Sequence, residues 1–232
     1  MTQSEVMKEL KAHGTAQNRK VGRQHGVKGA MFGVSYAVLG KLRKKIKADQ
    51  KLAEGLWVTS NFDARVLATM IADPDAISAR TLDAWVKDVD HRGIAAALSN
   101  IAAESKSAKT RMEKWTASRQ EMTSCAGWHT LASLARQDNG LPDVYFAKYL
   151  ATIEAEIQDS PNWAKYAMNN ALISIGTRNP GLEKKAIAAA GRIGEVEVDH
   201  GKTGCKTPSA AAYIKKTAAR RKKKASKARR AK

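Results

Sequence analysis

Cys125 is followed one helical turn later by His129, the arrangement in this chain that comes nearest to a nucleophile beside a base. The immediate neighbours Ser124, Ala126 and Gly127 supply no base, so the pattern favours a buried structural cysteine over a reactive one. A second set, Asp199, His200 and Cys205, offers metal-capable atoms but lacks the paired spacing of a structural zinc site. With Gly201 and Gly204 inside it, this stretch reads as a fixed turn, and neither metal nor cofactor is expected. Arg19, Lys20, Arg23 and Lys28 are interspersed with Gly14, Gly22, Gly26 and Gly29. Such a segment can follow a phosphate backbone with amides and side chains together, or serve as a flexible arm. Asn169 and Asn170 pose a different question, because asparagine amides compete with helical hydrogen bonds and weaken helix interiors.

Helices must position these groups. Strand signals are nearly absent, Glu195–Val198 being the one short candidate. Apolar stripes at helical spacing recur: Val66/Leu67 with Met70/Ile71, Trp128 with Leu131 and Leu134, Met168 with Ala171/Leu172 and Ile175, and Ala186/Ile187 with Ala190 and Ile193. Asp73-Pro74-Asp75, Gly140-Leu141-Pro142, Ser160-Pro161 and Asn179-Pro180-Gly181 fall between the stripes, where helices should stop. Two of the helix starts, near residues 123 and 164, are 41 apart, within the period of HEAT-type helical pairs. The expected fold is all-α, a curved α-solenoid of antiparallel helical pairs over residues 1–214. Residues 215–232 form a Lys/Arg/Ala-rich tail, expected to be disordered until bound. On a helix, Trp163, Tyr166, Asn170, Ser174 and Thr177 share a polar and aromatic stripe, whereas Asn169 lies off it and reads as a tie between helices.

Charge is the strongest global signal. Lys and Arg number 41 against 22 Asp and Glu, a net of +19. The tail from Lys215 carries eleven bases and no acid, and taking those eleven from +19 still leaves +8 on residues 1–214. A polyanion, and DNA in particular, is the expected partner. No run is apolar enough for a membrane span or a secretory signal, so a cytoplasmic, nucleoid-associated monomer without membrane contact is expected.

The stretches Phe32–Arg43, Leu52–Trp57, Asp63–Ala68, Trp163–Pro180 and Val198–Pro208 occur in the order seen in a known family. Over roughly residues 28–214 the chain resembles the AlkD-type DNA alkylation repair proteins, built from HEAT-like repeats. The resemblance implies a basic concave DNA-binding face, and in active members hydrolysis of the N-glycosidic bond of cationic alkylpurines by Trp, Asp and Arg residues. The family's Asp is best matched by Asp90, with Trp85 five residues before it. Cys125 stands where the family carries its Arg, and Asn170 where it carries a second Trp.

N-glycoside hydrolysis passes through an oxocarbenium-like state, helped by a carboxylate and by aromatic faces. Asp90 and Trp85 are therefore the candidate catalytic pair; the alternative has Trp85 packed between helices and Asp90 in a surface ion pair. An amide at 170 can bond a phosphate or sugar but offers no π-face to a cationic base. DNA binding with weak or lost glycosylase activity is thus the leading expectation, and a protein-binding helical scaffold is the alternative. Arg65, Lys106, Lys109, Arg111, Lys114, Arg119, Lys165 and Arg178 are candidates to line the DNA face, with Asn170. Arg220, Arg221, Lys222, Lys223 and Lys224 of the tail are candidates for salt-dependent phosphate contacts.

Overall fold

The computed structural model describes residues 1–137 and 140–230, and among them every regular element is helical. Residues 1–127 with 200–205 make one compact unit; residues 128–199 with 206–232 make a second. The first contains α1 (Gln3–His13), α2 (Ala16–Gln24), α3 (Tyr36–Ile46), α4 (Gln50–Trp57), α5 (Phe62–Ile71), α6 (Ala79–Lys87), α7 (Arg92–Glu104) and α8 (Ala108–Thr116). It is followed by α9 (Glu121–Arg136), and the second unit goes on with α10 (Asp143–Glu156), α11 (Asn162–Arg178), α12 (Pro180–Ile193) and α13 (Ala210–Arg230).

Side-chain caps explain where most helices begin. Thr2, Thr15, Ser35, Asp49, Asn61, Ser78, His91 and Asn179 each accept a hydrogen bond from an amide in the first turn that follows. Thr2 and Glu5 form a reciprocal capping box, and Pro180 opens α12 at the position where its missing N–H is harmless. The expected breaks at Asp73–Asp75, Gly140–Pro142, Ser160-Pro161 and Asn179-Pro180 all fall between helices or at a helix start. Glu195–Val198 forms no strand.

In the first unit α5 is the centre, flanked by α3 and α7 and paired with α4, while α6 and α8 pack on α7. Its helical interior is buried almost all round, from Asp63 to Thr69. Two indole N–H groups tie helices across this unit: Trp57 donates to Asp88 at 3.0 Å and Trp115 to Asp83 at 3.0 Å. The start of α9 approaches α8 so closely that a Cβ at Gly127 would lie 2.4 Å from the Thr116 amide nitrogen. Only glycine permits that approach.

In the second unit α11 is the buried centre, packed by α10, α12 and α13. A Cβ at Gly176 would fall 2.8 Å from the Ala186 Cβ and 2.5 Å from Ile214 Cδ1, which brings α12 and α13 against α11. Asn169 is fully buried, and its Nδ2 donates to the Pro208 carbonyl at 2.9 Å. It is the tie that its off-stripe position implied. The expectation of a disordered tail is corrected over its first turns. Ile214 and Ala218 are buried, and Arg221 pairs with Glu183, so burial and an ion pair hold α13 as a helix.

The segment ahead of α3 hangs on one carboxylate. Asp63, 2% exposed, accepts from the amides of Phe32 (2.6 Å), Gly33 (3.0 Å) and Val34 (3.0 Å). Gly33 there has φ +79° and abuts the α2 backbone, so its lack of a side chain is required twice over. Replacing Asp63 by Ala would strand three amides. We expect a loss of about 3–5 kcal/mol in urea denaturation. A loss under about 1 kcal/mol would show that the segment does not depend on this carboxylate.

Candidate nucleic-acid interface

Most of the helix-borne cations that sequence spacing singled out are committed to the protein itself. Arg65 is buried, with Nε on the Trp57 carbonyl at 3.2 Å, a terminal nitrogen on the Asp88 carbonyl at 3.0 Å, and its plane 5.1 Å over the Trp57 ring. Arg111 and Lys114 converge on Asp83 at 2.6 and 2.8 Å. Burial raises the Asp83 pKa, but those bonds and the Trp115 indole outweigh it and hold the carboxyl below its usual range. Lys106 lies 3.6 Å from Asp75. Arg178, expected at the DNA, donates to the carbonyls of Ala135 (3.0 Å) and Gln137 (2.7 Å) and lies 3.6 Å from Asp143. It caps the end of α9, so its donors are turned to the protein rather than left open for DNA. Arg119 is exposed, and Lys165 and Asn170 are half-buried on α11.

The early basic segment is neither a loose arm nor a phosphate loop. Arg19 and Arg23 sit on α2 and donate to the carbonyls of Phe32 (3.0 Å), Val27 (2.6 Å) and Gly29 (2.9 Å), lacing the following loop to the helix.

Trp85 is corrected as a catalytic ring. It is 4% exposed and stacks flat on Trp57, centroids 4.4 Å apart, so the core occupies its face. Asp90, by contrast, is exposed and has no ion pair among the described residues; the anticipated surface pair does not form. Its neighbour His91 caps α7 through Nδ1 and donates from Nε2 to the His25 carbonyl at 2.9 Å, the neutral tautomer that its burial-lowered pKa favours.

What the first unit does present is a groove of about 1110 Å³ between α3, α5 and α7. Arg43, Lys44 and Lys47 line it on and just after α3, Val66, Thr69 and Met70 on α5, and the small residues Gly93, Ala96 and Ala97 on α7; Glu104 is the single acid. Tyr36, 63% exposed, stands at the entrance. Tyr36, Gly40, Arg43/Lys44 and Lys47 recur at helical spacing, a signal present in the chain but outweighed by the brighter clusters elsewhere. In the second unit His129, Tyr166 and Trp163 make an edge-to-face series at 6.4 and 6.1 Å, with Asn170 one turn on. In the tail Arg220, Lys222 and Lys223 are exposed, Arg221 is engaged by Glu183, and the Lys224 side chain lies outside the described residues.

Paired helices, of which the first unit carries an open groove lined by three cations and one acid, define a helical-repeat protein. The chain matches the model of the DNA alkylation repair enzyme family over residues 6–221 and belongs to that family. A solved structure described as a new family of proteins related to the HEAT-like repeat DNA glycosylases, with affinity for branched DNA structures, is 32% identical, covers 95% of each chain and superposes with a TM-score of 0.87. The fold is therefore HEAT-like. Uncharacterized proteins of Listeria innocua and Listeria monocytogenes are 28% and 27% identical, each over 90% of this chain and 93% of the relative. No described helix is long and apolar enough to cross a membrane.

Where the family resemblance puts an Arg, Cys125 is fully buried and its thiol is pushed up to about 12 by burial and by the charge of Glu121. A raised pKa leaves it protonated and inert throughout pH 7–9. An aromatic disulfide reagent at pH 8 should thus titrate one thiol, the exposed Cys205, in native protein, and two after unfolding. Two rapid equivalents in native protein would contradict this burial.

Proposed function

We propose that this protein binds DNA through its basic surfaces, branched DNA in preference to plain duplex, and does not hydrolyse N-glycosidic bonds efficiently. The observation that carries the reading is the groove of α3, α5 and α7, with Arg43, Lys44 and Lys47 across from the small residues Gly93, Ala96 and Ala97. Cations on the α3 side, opposite small residues of α7, let a sugar–phosphate backbone approach closely. The preference for branched DNA draws on the 32% identical structural relative and its described affinity.

Weak catalysis follows from what surrounds the candidate acid. Asp90 is exposed to water, where its charge is screened and stabilises an oxocarbenium-like state little. Trp85 is spent in packing on Trp57, Cys125 is a neutral buried thiol, and Asn170 has no π-face.

DNA carrying 7-methylguanine, incubated under single-turnover conditions with protein in excess, should release no free base above background. Release that Asp90→Asn abolishes would overturn this part of the reading. A four-way junction should bind more tightly than duplex of equal length at the same salt; equal affinity would remove the branched preference. Truncation after Arg221 spares Ile214, Ala218 and the Glu183 pair, yet removes the cations beyond them. It should lower affinity at low salt and flatten the salt dependence without abolishing binding. Complete loss would show that the helical body is not a DNA surface.

A further inference from the structure

A cavity of about 440 Å³ opens in the second unit where the end of α9 meets the C-terminal half of α11. Arg136, Ser174, Thr177, Arg178, Asn179 and Asp143 line it. Its two arginines differ sharply. Arg178 is satisfied by two carbonyls and by Asp143, and Asp143 also accepts from Asn179 Nδ2 at 2.9 and 2.8 Å. That carboxylate is therefore turned to Asn179 and Arg178.

Arg136 has no such counterpart among the described residues. One terminal nitrogen donates to Ser174 Oγ at 2.9 Å and the other to Ser133 Oγ at 3.0 Å. Neutral hydroxyls orient a guanidinium without cancelling its charge. Three of its five N–H donors remain unused among the described residues, and none of those residues offers it a carboxylate. The residue is exposed on the cavity's edge, and the part of its guanidinium that packs against the protein lowers its pKa from the usual value. A fixed, partly desolvated guanidinium facing an open cavity is an anion receptor, and its planar fork matches two oxygens of one phosphate.

We propose that Arg136, held by Ser133 and Ser174, binds a phosphodiester of the DNA backbone in this cavity. The inference rests on the DNA-binding reading above and locates one phosphate contact that sequence spacing did not single out. Ser174 and Thr177 continue the α11 stripe of Trp163, Tyr166 and Asn170 toward this site, so a strand tracking that stripe meets aromatic, amide and then guanidinium groups in order. Arg136 lies at the end of α9, where the helix dipole favours a cation.

The test measures affinity for a four-way junction and for duplex across a salt series, with wild type, Arg136→Gln and Arg136→Lys. Arg136→Gln should bind roughly tenfold more weakly, with the slope of log affinity against log salt shallower by about 0.9, the increment of one phosphate contact. Arg136→Lys should keep the wild-type slope, because it keeps the charge, and recover part of the affinity. A merely structural arginine would not show this pairing of lost slope and charge rescue. If wild type binds DNA and Arg136→Gln has an unchanged slope, the inference fails while the DNA-binding reading stands. If wild type binds neither DNA, both fail. Inorganic phosphate that raises the melting temperature of wild type but not of Arg136→Gln, with no change in DNA slope, would mark a free-phosphate site and overturn the backbone assignment.

Discussion

The Asp63 carboxylate is the constraint on which the first unit depends. A buried charge is tolerated only when its lone pairs are filled, and here three consecutive amides fill them. That demand fixes the course of residues 32–34, and Ser35 then caps α3 immediately after them. The basic wall of the groove is therefore set by a residue on α5 that never reaches the surface. Arg19, bonded to the Phe32 carbonyl, and Gly33, pressed on the α2 backbone, reinforce the same placement.

A second theme is competition for cations. A strongly basic chain might be expected to spread its arginines over the ligand surface, yet several are drawn inward. Arg65 serves two carbonyls and an indole, Arg111 shares Asp83 with Trp115, and Arg178 caps α9. Arginine suits such positions because its five donors satisfy several carbonyls at once while its stem packs on apolar neighbours. Lysine, a single strongly hydrated point charge, stays outside. Lys44 and Lys47 in the groove and Lys222 and Lys223 on α13 follow that division.

The same logic underlies the proposal of binding without efficient hydrolysis. Hydrolysis of a glycosidic bond needs a carboxylate and ring faces preorganised away from water. Here the indole nearest in sequence to Asp90, Trp85, is consumed by stacking, and the carboxylate itself is exposed. Binding a backbone makes no such demand. It requires cations at suitable intervals and surfaces low enough to approach, and small residues such as Gly93, Ala96 and Ala97 supply the latter.

Helical periodicity, capping residues and proline breaks were legible in the chain, because they act over a turn or two and carry their own hydrogen bonds. Net charge and the family pattern were legible for the same reason: both are sums or orders of residue types. The helical state of the early tail was missed, since it rests on Ile214, Ala218 and Arg221 meeting α11 and α12, contacts some forty residues apart in sequence. Trp85 and Asp90 looked alike as candidates until packing buried one and exposed the other. The sequence by itself determined an all-helical, basic, DNA-repair-related protein, and that Asn169 would tie helices while Asn170 faced elsewhere. Only the tertiary structure decided which cations remain available, because a charge is spent or spared by partners that folding brings to within hydrogen-bonding distance, and spacing along a chain does not reveal them.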